Sequence, residues 1–237
     1  MIDAAHIISL IDLTSLNEND TDADIIALCE AAQTVKGPVA AVCVYPKFVT
    51  LAKQQLAGSG IQVATVTNFP SGTEPLEDTL ALTKQCLADG ADEIDVVIPY
   101  CNYLGGNTEA VVSLVQQSKQ CCGNKKLKVI LETGALKDPE LIKQVSLDVI
   151  NAGADFIKTS TGKINTGATL DAAQAMIDAI SASGKNVGIK ISGGVKTFDH
   201  AVAYLQAAQK VLGEDWLNAN HFRIGASSLL TNLLQSE

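Results

Sequence analysis

The chain has 237 residues, with 17 lysines and arginines against 26 aspartates and glutamates, which gives a formal net charge of −9. Hydrophobic residues make up 47% and aromatic residues only 4%, so a large core must be built mostly from Ala, Val, Ile and Leu. The acidic balance argues against binding to nucleic acid or to an anionic membrane, because both need a basic surface. It still allows a small anionic substrate, which a few lysines can hold.

The sequence also predicts one domain and a cytoplasmic location. No apolar run reaches the ~20 residues of a membrane span. The N-terminus lacks the basic start of a signal peptide, so we expect a cytoplasmic protein that binds no membrane. No Pro-rich or Ser-rich linker divides the chain, and residues 1–237 are predicted to form a single domain.

Short β-branched runs alternate with helical stretches along the chain, a pattern typical of βα units in a parallel sheet. The eight predicted strands are 8–14, 39–45, 61–68, 93–99, 127–133, 155–160, 187–192 and 222–226. The clearest predicted helices are 22–33, 75–89, 109–120, 139–152, 170–181 and 198–212. Eight strand-then-helix units in one domain predict an α/β fold, the (β/α)8 TIM barrel. The alternative is an open doubly wound sheet with one strand misassigned.

Residues of a barrel strand alternate between the helix-covered outer face and the barrel interior. This alternation sends a polar or reactive side chain inward from five predicted strands, namely Asp12, Cys43, Asp95, Lys158 and Lys190. Five such side chains in one barrel predict a functional site.

Lys158 and Lys190 lie on consecutive predicted strands among β-branched residues. Adjacent strands are ~4.8 Å apart, so two inward ammonium groups repel each other, and both repulsion and desolvation favour a neutral amine. A neutral amine can attack a carbonyl, and Asp95 can hold the remaining ammonium or relay protons. The alternative is a Lys–Asp ion pair that only fills the barrel, which would need one lysine rather than two.

Two turns after the last two predicted strands are suited to bind an anion. Gly193 and Gly194 let backbone N–H groups approach an oxyanion before a helix begins. Ser227 and Ser228 place two hydroxyls at the next helix start. Phosphate sites after strands seven and eight are common in barrel enzymes. Nearby candidate donors are Thr161, Gly162, Lys163 and Lys196. Together these residues predict a phosphorylated ligand.

The six cysteines, at positions 29, 43, 86, 101, 121 and 122, form no C-x-x-C motif and no Cys/His cluster with zinc spacing. So few cysteines in a chain of this length do not make a disulfide scaffold. Cys121 and Cys122 are predicted to be reduced thiols near a helix end. The sequence therefore predicts neither a metal site nor a cofactor.

Four segments closely resemble deoxyribose-phosphate aldolases, and the likeness is collinear from Asp12 to Leu230. The segments are Thr65-Val66-Thr67-Asn68-Phe69-Pro70, Glu93-Ile94-Asp95-Val96-Val97-Ile98-Pro99, Phe156-Ile157-Lys158-Thr159-Ser160-Thr161-Gly162-Lys163 and Gly225-Ala226-Ser227-Ser228-Leu229-Leu230. The resemblance implies a class I aldolase on a (β/α)8 barrel that needs no metal. Such an enzyme reversibly cleaves 2-deoxy-D-ribose 5-phosphate into acetaldehyde and D-glyceraldehyde 3-phosphate, in deoxynucleoside catabolism.

The resemblance also implies a role for each matching residue. Lys158 matches the imine-forming lysine, Lys190 the second lysine that lowers its neighbour's pKa, and Asp95 the proton-relay aspartate. Asp12 matches a supporting carboxylate, and Cys43 an inward cysteine that lines the pocket. The residues at substrate and phosphate positions are Thr161, Gly162, Lys163, Gly193, Gly194, Lys196, Ser227 and Ser228. The implied partners are the sugar phosphate, acetaldehyde and a second copy of the chain in a homodimer.

Two features depart from the family pattern. Some members have Lys-Pro-Ala-Gly-Gly where this chain has Lys190-Ile191-Ser192-Gly193-Gly194, a change that a small Ser192 tolerates. Some members end in a tail with a terminal tyrosine, whereas this sequence ends at Leu234-Gln235-Ser236-Glu237, so proton transfer is expected to rely on Asp95, Lys190 and water. Two other functions stay open, namely a transaldolase or keto-acid aldolase with a lysine imine, and a catalytically silent sugar-phosphate-binding protein.

Overall fold

Eight parallel strands close into a barrel, in which the first strand pairs with both the second and the eighth. The strands are β1 (Ile11–Thr14), β2 (Ala41–Val44), β3 (Gln62–Thr67), β4 (Glu93–Val97), β5 (Lys126–Ile130), β6 (Phe156–Lys158), β7 (Gly188–Ser192) and β8 (Phe222–Ala226). Their order around the barrel follows the chain. This closure confirms the predicted (β/α)8 TIM barrel, and the alternative of an open doubly wound sheet is wrong.

The computed structural model describes residues 2–235, so Ser236 and Glu237 of the predicted chain end lie outside the described residues. The principal helices are α1 (Asp22–Ala31), α2 (Val49–Gln55), α3 (Leu76–Ala88), α4 (Thr108–Cys122), α5 (Pro139–Ala152), α6 (Leu170–Ser183), α7 (Phe198–Leu212) and α8 (Leu229–Gln235). Shorter helices span Ala4–Ile8, Tyr100–Leu104 and Thr133–Leu136, and a small hairpin joins Gln33–Thr34 to Gly37–Pro38. None of the helices in residues 2–235 has the length and apolar character needed to cross a bilayer.

Local side chains explain where several helices begin and end. Asp138 accepts a hydrogen bond from the backbone N–H of Glu140, and Pro139 takes the first position of α5. Helix α5 then ends at Gly153, whose φ of 109° lies in the left-handed region that glycine adopts without strain. Thr21 caps α1 in a reciprocal capping box with Asp24.

Several predicted strand bounds and two short helices need correction. The first strand, predicted over 8–14, begins only at Ile11, because Ala4–Ile8 is a helix capped by the carboxylate of Asp3. The sequence pattern also misses α2 and predicts only the start of α8, after Ser228; each of these helices has 7 residues. Seven residues make about two turns, too few to display a clear helical period.

The apolar core lies between the barrel and its helices. Alternate strand residues such as Ile94, Val96 and Ile189 are fully buried in this layer. The barrel interior is different, because Lys128 and Lys190 are among the largest fully buried side chains of the described residues. Buried charges are costly unless they are paired, so the interior depends on ion pairs rather than on apolar packing.

Candidate active site

A cavity of about 430 Å³ opens at the carboxyl ends of β1, β6, β7 and β8, and Lys158 reaches it. All eight residues predicted to bind the substrate line this cavity, namely Thr161, Gly162, Lys163, Gly193, Gly194, Lys196, Ser227 and Ser228. The structure therefore brings the predicted imine-forming lysine and both anion-binding turns to one place. This is the barrel face at which TIM-barrel enzymes carry their active sites.

A larger cavity of about 620 Å³ lies at the opposite end of the barrel. Its walls come from residues at or just before the amino ends of strands, such as Ala40, Asp92, Lys125 and Asn220. Conserved chemistry in this fold sits at the other face, and Lys158 does not line the larger cavity. The smaller cavity is therefore the candidate active site, although volume alone favours the larger one.

The turn after β7 is held against the segment after β6. Gly193 and Gly194 have φ of 85° and 96°, which glycine adopts without strain. The backbone N–H of Ala168 donates to the carbonyls of Gly193 at 2.9 Å and Ser192 at 3.2 Å. A Cβ at Gly193 would lie 2.9 Å from the Cα of Gly167. The close approach of the two segments thus requires glycine at this point of the cavity wall.

Lysines and hydroxyls complete the polar wall of the cavity. The ammonium of Lys163 donates to the carbonyl of Leu16 after β1 at 2.5 Å, which joins the segments after β6 and β1. Lys196, Ser227 and Ser228 are exposed at the rim. The wall can therefore supply positive charge and hydroxyl donors to an anionic ligand without burying it.

Lys158 and Lys190 meet at one oxygen atom. The Nζ of Lys158 lies 2.7 Å from Oδ2 of Asp95, and the Nζ of Lys190 lies 2.8 Å from the same atom. Lys190 has a second carboxylate partner in Asp12, at 2.6 Å. Within the described residues, Asp95 is the one carboxylate that forms an ion pair with Lys158. The amine with less anionic support is therefore the one that reaches the cavity.

The two amines have opposite pKa shifts. Burial lowers the pKa of Lys158, and the ammonium of Lys190 lowers it further against the attraction of Asp95. Burial also opposes the charge on Lys190, but Asp12 and Asp95 outweigh it and raise the pKa of Lys190. Burial works against the charge of Asp95 too, yet the surrounding lysines hold its pKa well below the usual range. Lys158 is thus the first of the two amines to lose its proton.

The lower barrel interior holds charges that the sequence interpretation missed. Lys128 lies 2.6 Å from Glu93 and 2.8 Å from Asp95. Arg223 contacts Asp12 at 2.6 Å and Glu93 at 2.8 Å. The two-residue alternation that marks Asp95 as inward also marks Glu93, and the same rule applied to 126–130 and 222–226 would have identified Lys128 and Arg223.

These side chains form one buried network of four cations and three carboxylates, which are Lys128, Lys158, Lys190, Arg223, Asp12, Glu93 and Asp95. With every group ionised the network carries one excess positive charge, and loss of one proton makes it neutral. Lys158 is the cation whose pKa is lowered, whereas the pKa values of the other three are raised. Because an uncompensated buried charge is costly, the network favours a neutral Lys158.

Cys43 points inward, as predicted, but it does not line the cavity. It is fully buried in a small apolar cluster with Leu16, Ala64 and Val66. Burial raises the pKa of its thiol, so the group is neutral. All six cysteines are free thiols, and Cys121 and Cys122 end α4. Residues 2–235 include no group of three or more His, Cys, Asp or Glu side chains arranged to hold a metal ion.

Glu132 is a buried carboxyl group beside the cavity that the sequence interpretation did not identify. Its backbone is left-handed, with φ of 57°. Its side chain accepts hydrogen bonds from the hydroxyl of Thr161 at 2.5 Å and from the N–H of Thr161 at 3.3 Å. Burial raises the pKa of Glu132. The predicted strand 127–133 concealed it, because the strand ends at Ile130 and the chain turns there.

The geometry agrees with comparisons to known proteins. A model of the DeoC/LacD family of aldolases matches residues 6–235. A candidate deoxyribose-phosphate aldolase from Coccidioides immitis is 28% identical, with a TM-score of 0.89 over 99% of this chain and 87% of that one. Another from Toxoplasma gondii ME49 is 26% identical, with a TM-score of 0.88 over 98% of this chain and 92% of that one. A tetrameric deoxyribose phosphate aldolase from Aeropyrum pernix is 27% identical, with a TM-score of 0.80 over 98% of this chain and 91% of that one. The chain therefore belongs to the DeoC/LacD family of aldolases and is a lyase.

Proposed function

We propose that this aldolase reversibly cleaves 2-deoxy-D-ribose 5-phosphate into acetaldehyde and D-glyceraldehyde 3-phosphate through an imine on Lys158. One observation carries the proposal: Lys158, the network cation with the lowered pKa, lines the same cavity as the two anion-binding turns. The names of the similar structures support the choice of deoxyribose phosphate as substrate.

In this proposal the phosphate lies against Gly193, Gly194, Ser227 and Ser228, with Lys196 at the rim. Backbone and hydroxyl donors suit a phosphate at such a turn. The phosphate is remote from the bond that breaks, so its contacts provide binding energy and orient the aldehyde carbon toward the amine. Thr161 and Lys163 are then available to the sugar hydroxyls.

The reaction begins when the neutral amine of Lys158 attacks C1 of the open-chain sugar phosphate. Loss of water from the adduct gives an iminium ion, which withdraws electrons from the neighbouring carbons. The C3 hydroxyl loses its proton, the C2–C3 bond breaks, and the bonding pair passes to the iminium nitrogen. D-glyceraldehyde 3-phosphate leaves, and an enamine of acetaldehyde remains on Lys158. Protonation of C2 and addition of water then release acetaldehyde and the free amine.

We assign the proton transfers of these steps to Asp95 and Lys190. The Asp95 carboxylate lies 2.7 Å from the Nζ of Lys158 and is the nearest base to the reacting nitrogen in the described network. The proton taken from the C3 hydroxyl can return to C2 through a water held by Asp95 and Lys190. Lys190 shares Oδ2 of Asp95 with Lys158, so its positive charge lies next to the reacting amine. Asp12 holds Lys190 in place at 2.6 Å.

We further propose that the protein works in the cytoplasm without a metal ion and as a homodimer. The Aeropyrum pernix relative is tetrameric, so its assembly is larger than the one proposed. Analytical ultracentrifugation of the purified chain decides between dimer and tetramer. Activity that survives dialysis against a chelator and is not raised by divalent cations would support a metal-independent reaction.

The test of the imine is incubation with acetaldehyde and borohydride, followed by peptide mass mapping. We expect an ethyl group on Lys158, no label in Lys158→Ala, and unchanged labelling in the surface control Lys210→Ala. Absence of label in the native chain would contradict the proposal and favour a silent sugar-phosphate-binding protein. Labelling by pyruvate or dihydroxyacetone in place of acetaldehyde would favour a keto-acid aldolase or a transaldolase.

A further inference from the structure

We propose that Glu93 and Arg223, at the base of the barrel, are positioning residues that set, with opposite signs, how readily Lys158 releases its proton. The inference rests on the proposed role of Lys158 as the imine-forming amine. Neither residue lines the candidate active site, and both line the cavity at the opposite end of the barrel. They therefore act on Lys158 without touching the substrate, through the charge that they contribute to the buried network.

Two chains of direct contacts connect the base of the barrel to Lys158. Arg223 contacts Asp12 at 2.6 Å, and Asp12 contacts Lys190 at 2.6 Å. In the other chain, Glu93 contacts Lys128 at 2.6 Å. Both Lys190 and Lys128 then contact Asp95 at 2.8 Å, and Asp95 contacts Lys158 at 2.7 Å. Each chain therefore ends on the one carboxylate that holds the Lys158 amine.

The charge of the network gives the sign of each effect. With all seven groups ionised the net charge is +1, so release of the Lys158 proton leaves a neutral interior. Without the charge of Arg223, the ionised network is already neutral, and Lys158 keeps its proton more firmly. Without the charge of Glu93, the ionised network carries +2, and Lys158 releases its proton more readily. Both side chains are almost completely buried, so solvent screens these effects little.

Two ionisable groups near Lys158, the Cys43 thiol and the Glu132 carboxyl group, are not members of the network, and both are unchanged in the variants compared. Lys158 interacts with Cys43 from β2, Asp95 from β4, Glu132 after β5 and Lys190 from β7. Asp12 from β1 and Lys128 from β5 lie one contact further away, on Lys190 and Asp95. The Cys43 thiol is neutral because burial raises its pKa. Glu132 bonds to Thr161 and forms no ion pair within the described network. Lys126, at the base, donates to Asn220 and stays outside the network.

Glu93 and Arg223 do more than support the fold if their substitutions shift proton release from Lys158 in opposite directions. If the two residues only supported the fold, either substitution would lower the stability of the protein and leave the pH dependence of Lys158 unchanged. Removal of the two opposite charges should instead shift proton release in opposite directions, although the two residues are hydrogen-bonded to each other at 2.8 Å. No general loss of packing gives that pattern.

The experiment measures the rate of borohydride-trapped labelling of Lys158 by acetaldehyde over a range of pH. We expect the midpoint to rise by about one pH unit in Arg223→Gln and to fall by about one unit in Glu93→Gln, for a charge roughly 10 Å away at an effective dielectric of about 20. The double variant, which removes both charges, and the conservative Arg223→Lys should return the midpoint close to the native value. Lys119→Gln, which removes a charge paired with Asp155 outside the network, is the matched control and should leave the midpoint unchanged.

Thermal unfolding establishes which variants fold. If Arg223→Gln does not fold, Glu93→Gln and the double variant still give the direction of the midpoint shift. Shifts in the same direction, no shift in a folded variant, or an equal shift in Arg223→Lys and Arg223→Gln would each overturn the inference. Failure of the proposed function is a different result, because the native chain would then carry no label on Lys158 at any pH.

Discussion

Replacement of Lys190 by methionine tests the idea that one buried ammonium keeps its neighbour neutral. Both amines contact Oδ2 of Asp95, at 2.7 and 2.8 Å, and their nitrogens are therefore about 5 Å apart. At an effective dielectric of about 20, two unit charges at this separation repel by about 3 kcal/mol, which corresponds to about two pKa units. The substitution also removes one of the two cations that contact Asp12 at 2.6 Å and leaves Arg223 as the other, and the less compensated carboxylate acts in the same direction.

The pKa of Lys158 should therefore rise in Lys190→Met, and the neutral fraction at pH 7 should fall about 100-fold. The assay is the pH profile of kcat/KM for 2-deoxy-D-ribose 5-phosphate, whose acid limb we expect to move up by about two pH units. Activity should recover at alkaline pH, and Lys190→Arg, which keeps the charge, should keep the native limb. An equal loss of rate at every pH with an unmoved limb would refute the reasoning, because Lys190 would then act in proton transfer itself.

Three further predictions concern the rest of the site. Lys158→Ala should abolish imine formation with acetaldehyde yet keep the fold by circular dichroism, because it makes the buried network neutral. Gly193→Ala forces a φ of 85° on a residue with a Cβ; KM for the phosphorylated substrate should rise about tenfold, whereas KM for 2-deoxyribose should not change. Asp95→Asn removes the carboxylate shared by three lysines, and urea titration should show a loss of about 3–5 kcal/mol in the free energy of unfolding. Because Asp95 has a pKa below that of a free aspartate, its stabilisation is present above about pH 4 and lost as pH falls, so Asp95→Asn should also reduce the acid sensitivity of unfolding.

The strands and the inward residues could be read from the sequence because both depend on local features. Lys158, Lys190, Asp95 and Asp12 sit at alternate positions of β-branched runs, and the backbone of any strand sends alternate side chains to opposite faces. The turns at Gly193-Gly194 and Ser227-Ser228 could also be predicted locally, because in each the next helix starts within a few residues of the strand end. Short helices were harder to predict, because α2 and α8 have only 7 residues each and no extent was predicted for either.

The pairing of the inward charges depends on barrel closure and could not be predicted in the same way. Arg223 meets Asp12 only because β8 pairs with β1, which joins residues 211 positions apart. Glu132 reaches Thr161 because the chain adopts a left-handed turn after β5, and Cys43 packs in an apolar cluster rather than in the cavity wall. Each of these contacts is set by neighbours that are distant along the chain.

By itself, the sequence determined the repeated strand–helix architecture, the faces on which lysines and aspartates lie, and the family resemblance of its motifs. Only the tertiary structure decided that four buried cations share three carboxylates, and that Lys158 is the cation with the least anionic support at the cavity. The physical reason is that side-chain alternation is a property of one strand. The proton balance of a buried amine, in contrast, depends on every charge that the closed barrel brings within reach.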